Sequence, residues 1–229
     1  MMPTATLTEH RTLLAHHPVG ASTGYLHADR GDWQRLVEQA CEVSPFAAEL
    51  AALSEVELPA LVEHLAAEDC LPFHYVSVHA PSKGRVMPES ELVALLAGLP
   101  CEVDAIVVHP DVIEDPARYR RLGRRLVLEN MDARKPAGRT AGELAPLLAL
   151  LPEAGLCLDV AHALDVDPSL REGHLLLDRF APRLRHVHVS SLDAAGHHVP
   201  LRPADEVAFT PLLRRCRDVP WILEAPLAR

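Results

Sequence analysis

The chain has 229 residues, enough for one sizeable domain with a full core. Hydrophobic residues make up 48% and the formal net charge is −10, which argues against the broad basic face of a nucleic-acid binder while leaving room for a small basic patch. The N-terminal MMPTATLTEHRT has no apolar signal stretch, no run approaches the ~18 apolar residues of a membrane span, and the five cysteines (Cys41, Cys70, Cys101, Cys157, Cys216) form no CxxC; together these predict a cytoplasmic protein with reduced thiols.

In chain order, Ala5–His16 has helical propensity and a strand candidate follows at Val19–Thr23. Asp32–Cys41 opens on an Asp cap and continues as a helix. The strand Ala47–Ala51 precedes Glu57–Glu68, whose Leu58, Leu61, Val62 and Leu65 recur at helical spacing. His74–Ala80 reads as a strand, and Pro88 starts the helix Glu89–Ala97. The strands Ala105–Pro110, Arg125–Asn130, Leu156–His162, Arg185–Ser190 and Trp221–Ala225 alternate with helices at Arg118–Leu122, Ala141–Leu150, Ser169–Phe180 and Asp205–Cys216. Eight strand–helix units predict an α/β fold, a compact (β/α)₈ TIM barrel spanning residues 1–229 as a single domain. The sequence runs only to Arg229, a few residues past the last strand, so the last helix is expected to be missing or replaced by the N-terminal extension 1–17.

The strand ends carry the chemistry. VSVHAP ends on His79, IVVHPD on His109, LVLEN on Glu129, LCLDVAH on Asp159 and His162, HVHVS on His188, and WILEAP on Glu224. In such a barrel the C-terminal strand ends converge on one mouth. Glu129, Asp159, His188 and Glu224 would then form a site of three carboxylates and one imidazole, whose mutual repulsion a divalent cation neutralises. His79 and His109 could hold a second ion with Glu129 as the bridge, or act as hydrogen-bond and acid/base groups. His162 and His198 could ligate a third ion or contact substrate. The mixed nitrogen and oxygen donors suit Zn²⁺, Mn²⁺ or Fe²⁺, one to three per chain. Lys83, Arg85 and Arg202 are either solvated charges or holders of an anionic substrate group, and Asn130 could orient Glu129. His186 reads as a supporting or core residue and Glu49 as a structural ion pair.

VSVHAP, VVHP, LEN, GLCLDVAHA, RHVHVS and LEAP, in this order over residues 19–225, resemble the xylose isomerase-like TIM-barrel superfamily. That group includes endonuclease IV-type apurinic-site nucleases and sugar isomerases and epimerases of the tagatose-epimerase and inosose-dehydratase kind. The resemblance implies a shared metal site at Glu129, Asp159, His188 and Glu224, with Glu129 and Glu224 also exchanging protons with substrate carbon in the epimerase branch. It matches His79 and His109 to the second metal position of the nucleases, and His162 and His198, rather than His197, to the third. The chain departs from the nuclease pattern at Gly196, where those enzymes place an Asp, and at Ser190–Asp193, which read SSLD.

The expectation is therefore a metal-dependent isomerase or epimerase acting on a small polar or phosphorylated hydroxy-carbonyl substrate. Glu129 and Glu224 would be catalytic, and His162, Arg202 and Lys83 would position the substrate. The alternatives are a zinc phosphoesterase of endonuclease IV type and a non-catalytic metal- or sugar-binding module.

Overall fold

A computed structural model describes residues 17–68 and 70–227. Eight parallel strands close into a barrel: β1 (Val19–Ser22), β2 (Ala47–Ala51), β3 (Tyr75–His79), β4 (Ala105–Val108), β5 (Leu126–Glu129), β6 (Gly155–Asp159), β7 (Leu184–Val189) and, last in the chain, β10 (Trp221–Leu223). Neighbours in sequence are neighbours in the sheet, and β1 closes the ring against both β2 and β10. β8 (Ser191–Leu192) and β9 (His198–Val199) form a small antiparallel hairpin outside the barrel sheet.

Eight α-helices occur among the described residues: α1 (Trp33–Val43), α2 (Glu57–Ala67), α3 (Glu89–Ala97), α4 (Pro116–Tyr119), α5 (Ala141–Leu150), α6 (Val160–Val166), α7 (Arg171–Phe180) and α8 (Pro203–Leu213). Local signals set their ends. Asp32 caps α1 by accepting from Arg35 N–H at 3.0 Å, and Thr140 caps α5 through Glu143 N–H at 3.1 Å. Pro203 sits in the first turn of α8, where its missing N–H costs nothing. None of the described residues after β10 is helical. The expected helix at Ala5–His16 lies outside the described residues.

Several boundaries differ from the sequence reading, three of them for a visible local reason. The sixth strand stops at Asp159, because the Asp159 carboxylate accepts from His162 N–H at 2.7 Å and starts α6 there. The helix expected from Ser169 begins at Arg171, because Leu170 takes a left-handed conformation at φ 56° that no helix accommodates. The helix expected at Arg118–Leu122 is one turn of α4 followed by 3₁₀ structure, broken at Gly123 with φ 57°.

The main hydrophobic core lies between the sheet and the helices. Leu36, Leu50, Leu58, Leu61, Leu92, Ile106, Leu128, Leu156 and Phe209 are among its fully buried members. The barrel interior is different. It holds a small apolar cluster of Ala105, Val107, Val127 and Cys157 beside buried polar residues Ser22, Glu49, Ser77 and His186. β1 approaches β2 so closely that a Cβ on Gly20 would lie 2.5 Å from the Ala47 carbonyl oxygen, so only glycine fits there.

The outer shell should therefore carry most of the stability. Leu50→Ala removes a side chain with no solvent exposure and is expected to cost about 2–5 kcal/mol in urea unfolding. A loss below ~1 kcal/mol would place the stabilising core elsewhere.

Candidate metal centre

The strand ends, the start of α6 and the β8–β9 hairpin bring all eight of the predicted ligand residues into one mouth. Glu129 closes β5, Asp159 closes β6, His188 lies one residue before the end of β7, and Glu224 follows β10. One donor atom from each of these four can be chosen so that all lie within 4.8 Å of one another. His188 Nδ1 sits between two carboxylates, 3.4 Å from Glu129 Oε1 and 3.4 Å from Glu224 Oε1. Glu129, Asp159 and His188 are at most 1% exposed.

Glu129 faces two groups at once. Its Oε2 lies 3.2 Å from His79 Nε2 and 3.2 Å from His109 Nε2, while its Oε1 faces His188 and, at 3.3 Å, His162 Nδ1. The two Nε2 atoms of His79 and His109 are themselves 3.1 Å apart. His79 Nδ1–H donates to the Ala80 carbonyl at 3.0 Å, which turns the other ring nitrogen toward Glu129. His79, His109 and Glu129 thus form a second set that could hold an ion, and Asp159, His162 and His198 a third.

The third set has its own supports. Asn130 accepts from Asp159 N–H at 2.8 Å and donates to the Asp159 carbonyl at 2.9 Å, and its own carbonyl receives His162 Nδ1–H at 2.9 Å. Asn130 therefore fastens Asp159 and His162; the expected hydrogen bond from its side chain to Glu129 is absent, because that side chain is spent on the β6 backbone. His198, on β9, contacts Ser190 Oγ at 2.7 Å and lies 3.2 Å from Glu224 Oε2. His197 is exposed and pairs with Asp193 instead.

The donors fit a divalent cation. Asp159 Oδ2, His188 Nδ1, Glu224 Oε2 and His109 Nδ1 are buried without a hydrogen-bond partner, although several lie at ion-pair distance from one another. Buried polar atoms are rarely left so unless something else satisfies them. The charges respond accordingly. Burial opposes ionisation of Glu129, yet His188 and His109 hold its carboxyl well below the usual range. Burial beside Asp159 and Glu129 pushes Glu224 well above it, with His188 acting against the rise. Burial alone would lower His162, but the Asp159 and Glu129 carboxylates raise it to about 10. Burial lowers His198 to about 4.

The predicted cations stand apart from this cluster. Arg202 is exposed and bound to Asp205 at 2.8 Å and to the Leu192 carbonyl at 2.7 Å, which anchors the β8–β9 hairpin. Lys83 is exposed in the loop after β3, and Arg85 is tied to the Val112 carbonyl and lies 3.8 Å from Glu55. At Gly196 the left-handed φ of 75° and the guanidinium of Arg134 leave no room for a side chain. Arg134 is held there by Asp132 at 2.8 Å and by the Gly196 carbonyl at 2.8 Å. Asp111 was not singled out from the sequence; its Oδ1 lies 3.9 Å from His109 Nδ1, and its position two residues after His109 in HPD was the available signal.

No family model and no curated protein matches the chain. Solved structures do. A candidate sugar phosphate isomerase/epimerase from Anabaena variabilis ATCC 29413 superposes with a TM-score of 0.53 at 16% identity, covering 91% of this chain and 84% of the other. A candidate xylose isomerase from Rhodospirillum rubrum ATCC 11170 superposes with a TM-score of 0.59 at 14% identity, covering 93% and 91%. At these identities the likeness establishes a shared fold, the closed eight-stranded α/β barrel.

A pH dependence follows for the metal-free protein. His162 is raised from 6.5 to about 10 on folding, so its contribution to stability is complete below pH 6.5 and is lost as pH rises toward 10. Glu224, also raised, acts in the same direction. Urea midpoints of chelator-treated protein should fall across pH 6.5–10, and His162→Asn should flatten that fall. A flat profile in the unsubstituted protein would contradict the charge arrangement described.

Proposed function

We propose that the chain is a divalent-metal-dependent isomerase or epimerase of a small sugar-like or sugar-phosphate-like hydroxy-carbonyl compound. The observation that carries this reading is the placing of Glu129 and Glu224 on either side of His188 Nδ1, each 3.4 Å from it. Two carboxylates that share a donor set can also exchange a proton with carbon bound against that set. A divalent ion held by Glu129, Asp159, His188 and Glu224 would polarise the substrate carbonyl and stabilise charge developing on its oxygen. Glu129 and Glu224 then remove and return the proton at the adjacent carbon. His162, fixed by Asn130, positions a substrate hydroxyl, and Lys83 is free to meet an anionic group from the loop after β3. Arg202 is assigned the same task only if it releases Asp205. The fold shared with candidate isomerases and epimerases supports the reading.

One observation favours a second reading, a phosphoester hydrolase. Glu129 Oε2 faces the His79–His109 pair while Oε1 faces His188, the arrangement of a carboxylate between two ions. Gly196 and the acidic net charge weigh against an enzyme working on abasic DNA.

Elemental analysis of purified protein, joined to a screen of aldose and ketose phosphates and of bis-p-nitrophenyl phosphate, separates the readings. One tight ion with isomerisation is expected. Two or three ions with phosphodiester cleavage would overturn the proposal, and bound metal without any turnover would favour a binding module. With the active substrate, Glu129→Gln and Glu224→Gln should each lower kcat by at least about 100-fold.

A further inference from the structure

Glu49 lies in the middle of β2, inside the barrel and beneath the metal centre, with no solvent exposure. A buried carboxylate is costly unless its oxygens are satisfied. The barrel register supplies the partners. Ser22 of β1, Glu49 of β2 and Ser77 of β3 are paired in one row across three adjacent strands. Ser22 Oγ donates to Glu49 Oε1 at 3.3 Å, and Ser77 Oγ donates to Oε2 at 3.1 Å. The remaining partner crosses the barrel: His188 Nε2–H donates to Glu49 Oε2 at 3.0 Å. His186 Nε2 stands farther off, at 3.7 Å, and its other ring nitrogen is engaged by Tyr75 Oη at 2.8 Å.

The two ring nitrogens of His188 thus have opposite surroundings. Nε2 meets a clamped carboxylate below. Nδ1 points up at Glu129 and Glu224 and has no hydrogen-bond partner. We propose that Glu49 is the positioning residue of the metal centre: by fixing the proton of His188 on Nε2 and the ring plane across the barrel, it presents the Nδ1 lone pair to the ion. The inference rests on the reading of Glu129, Asp159, His188 and Glu224 as a metal site. Glu49 itself touches neither ion nor substrate, so its substitution acts through His188. The ion pair expected of Glu49 is present with His188, and the serine row adds a constraint that an ordinary ion pair lacks. Two hydroxyls from neighbouring strands hold the carboxylate rigid at the one height where it reaches His188.

The geometry makes a graded prediction. Glutamine keeps the length of Glu49 and an oxygen that can accept from Nε2–H, but no charge; alanine keeps neither. Competition of Zn²⁺ between a chelator and the wild-type protein, Glu49→Gln and Glu49→Ala should show affinity for the tightest ion falling in that order, by about 10-fold and then about 100-fold. Ring-nitrogen NMR of the zinc-loaded proteins gives a second readout. His188 should carry its proton on Nε2 in the wild type and lose that fixed state in Glu49→Ala. Circular dichroism of the metal-free forms checks folding, and if the alanine variant does not fold, the glutamine variant carries the test. Wild-type affinity and an unchanged His188 signal in a folded variant would overturn the role of Glu49 alone. A wild-type protein that takes up no Zn²⁺ would overturn the metal-site reading and this inference together.

Discussion

The structure depends on three carboxylates that should not be together. Glu129, Asp159 and Glu224 meet around His188 at the barrel mouth, two of them almost without solvent. Like charges at this range oppose one another, and burial removes the water that would screen them. The imidazoles offset part of that repulsion, and the unequal behaviour of the carboxyls shows how incompletely: Glu129 is drawn toward ionisation while Glu224 is driven toward its neutral form. A divalent cation would remove the conflict by offsetting the negative charge gathered there. The same arrangement that destabilises the metal-free chain would give a bound ion its affinity.

Holding such a cluster requires a stiff frame, and the barrel provides it by moving its hydrophobic core outward. Barrel interiors are commonly filled by layers of Val, Ile and Leu. Here the interior carries Ser22, Glu49, Ser77, Cys157 and His186 beside a few alanines and valines, while leucines and aromatics pack between sheet and helices. The outer shell supplies burial energy, which frees the inner face for polar side chains that brace the ligands. Ser22 and Ser77 support Glu49, and Glu49 in turn supports His188.

The strands and the His, Asp and Glu residues that close them are legible because both signals are local. A short apolar run marks each strand, and a His, Asp or Glu at its end marks the mouth. The missed features are those in which one residue does two jobs or needs a distant partner. Asp159 reads as a ligand, which conceals that it caps α6; the apolar run through Val160 and Ala161 continues without Gly or Pro, so the strand reads as extending to His162. Nothing local announces that Leu170 adopts a left-handed conformation. Glu49 in AAELA has the right parity to face inward, but its meaning lies in Ser22, Ser77 and His188, whose heights relative to it are set by barrel register. Asn130 was placed beside the correct neighbours but assigned the wrong partner, since its choice between Glu129 and the Asp159 backbone depends on how β5 and β6 are staggered.

The three ligand sets at the barrel mouth are unequal, and their charges rank them. Glu129, Asp159, His188 and Glu224 offer three carboxylates to one ion, whereas His79 and His109 add only a share of Glu129. The third set adds no carboxylate beyond Asp159, and Arg134 occupies the face of Gly196 where the nuclease pattern places another acid. Replacing a negative group by a nearby guanidinium changes the local field in the sense that opposes a cation. Arg134 is exposed but tethered: Asp132 and two backbone carbonyls hold it beside Gly196. Affinity for divalent ions should therefore be concentrated at the four-residue set and weaken toward the hairpin. That gradient matches chemistry centred on Glu129 and Glu224 more closely than chemistry requiring three equivalent ions.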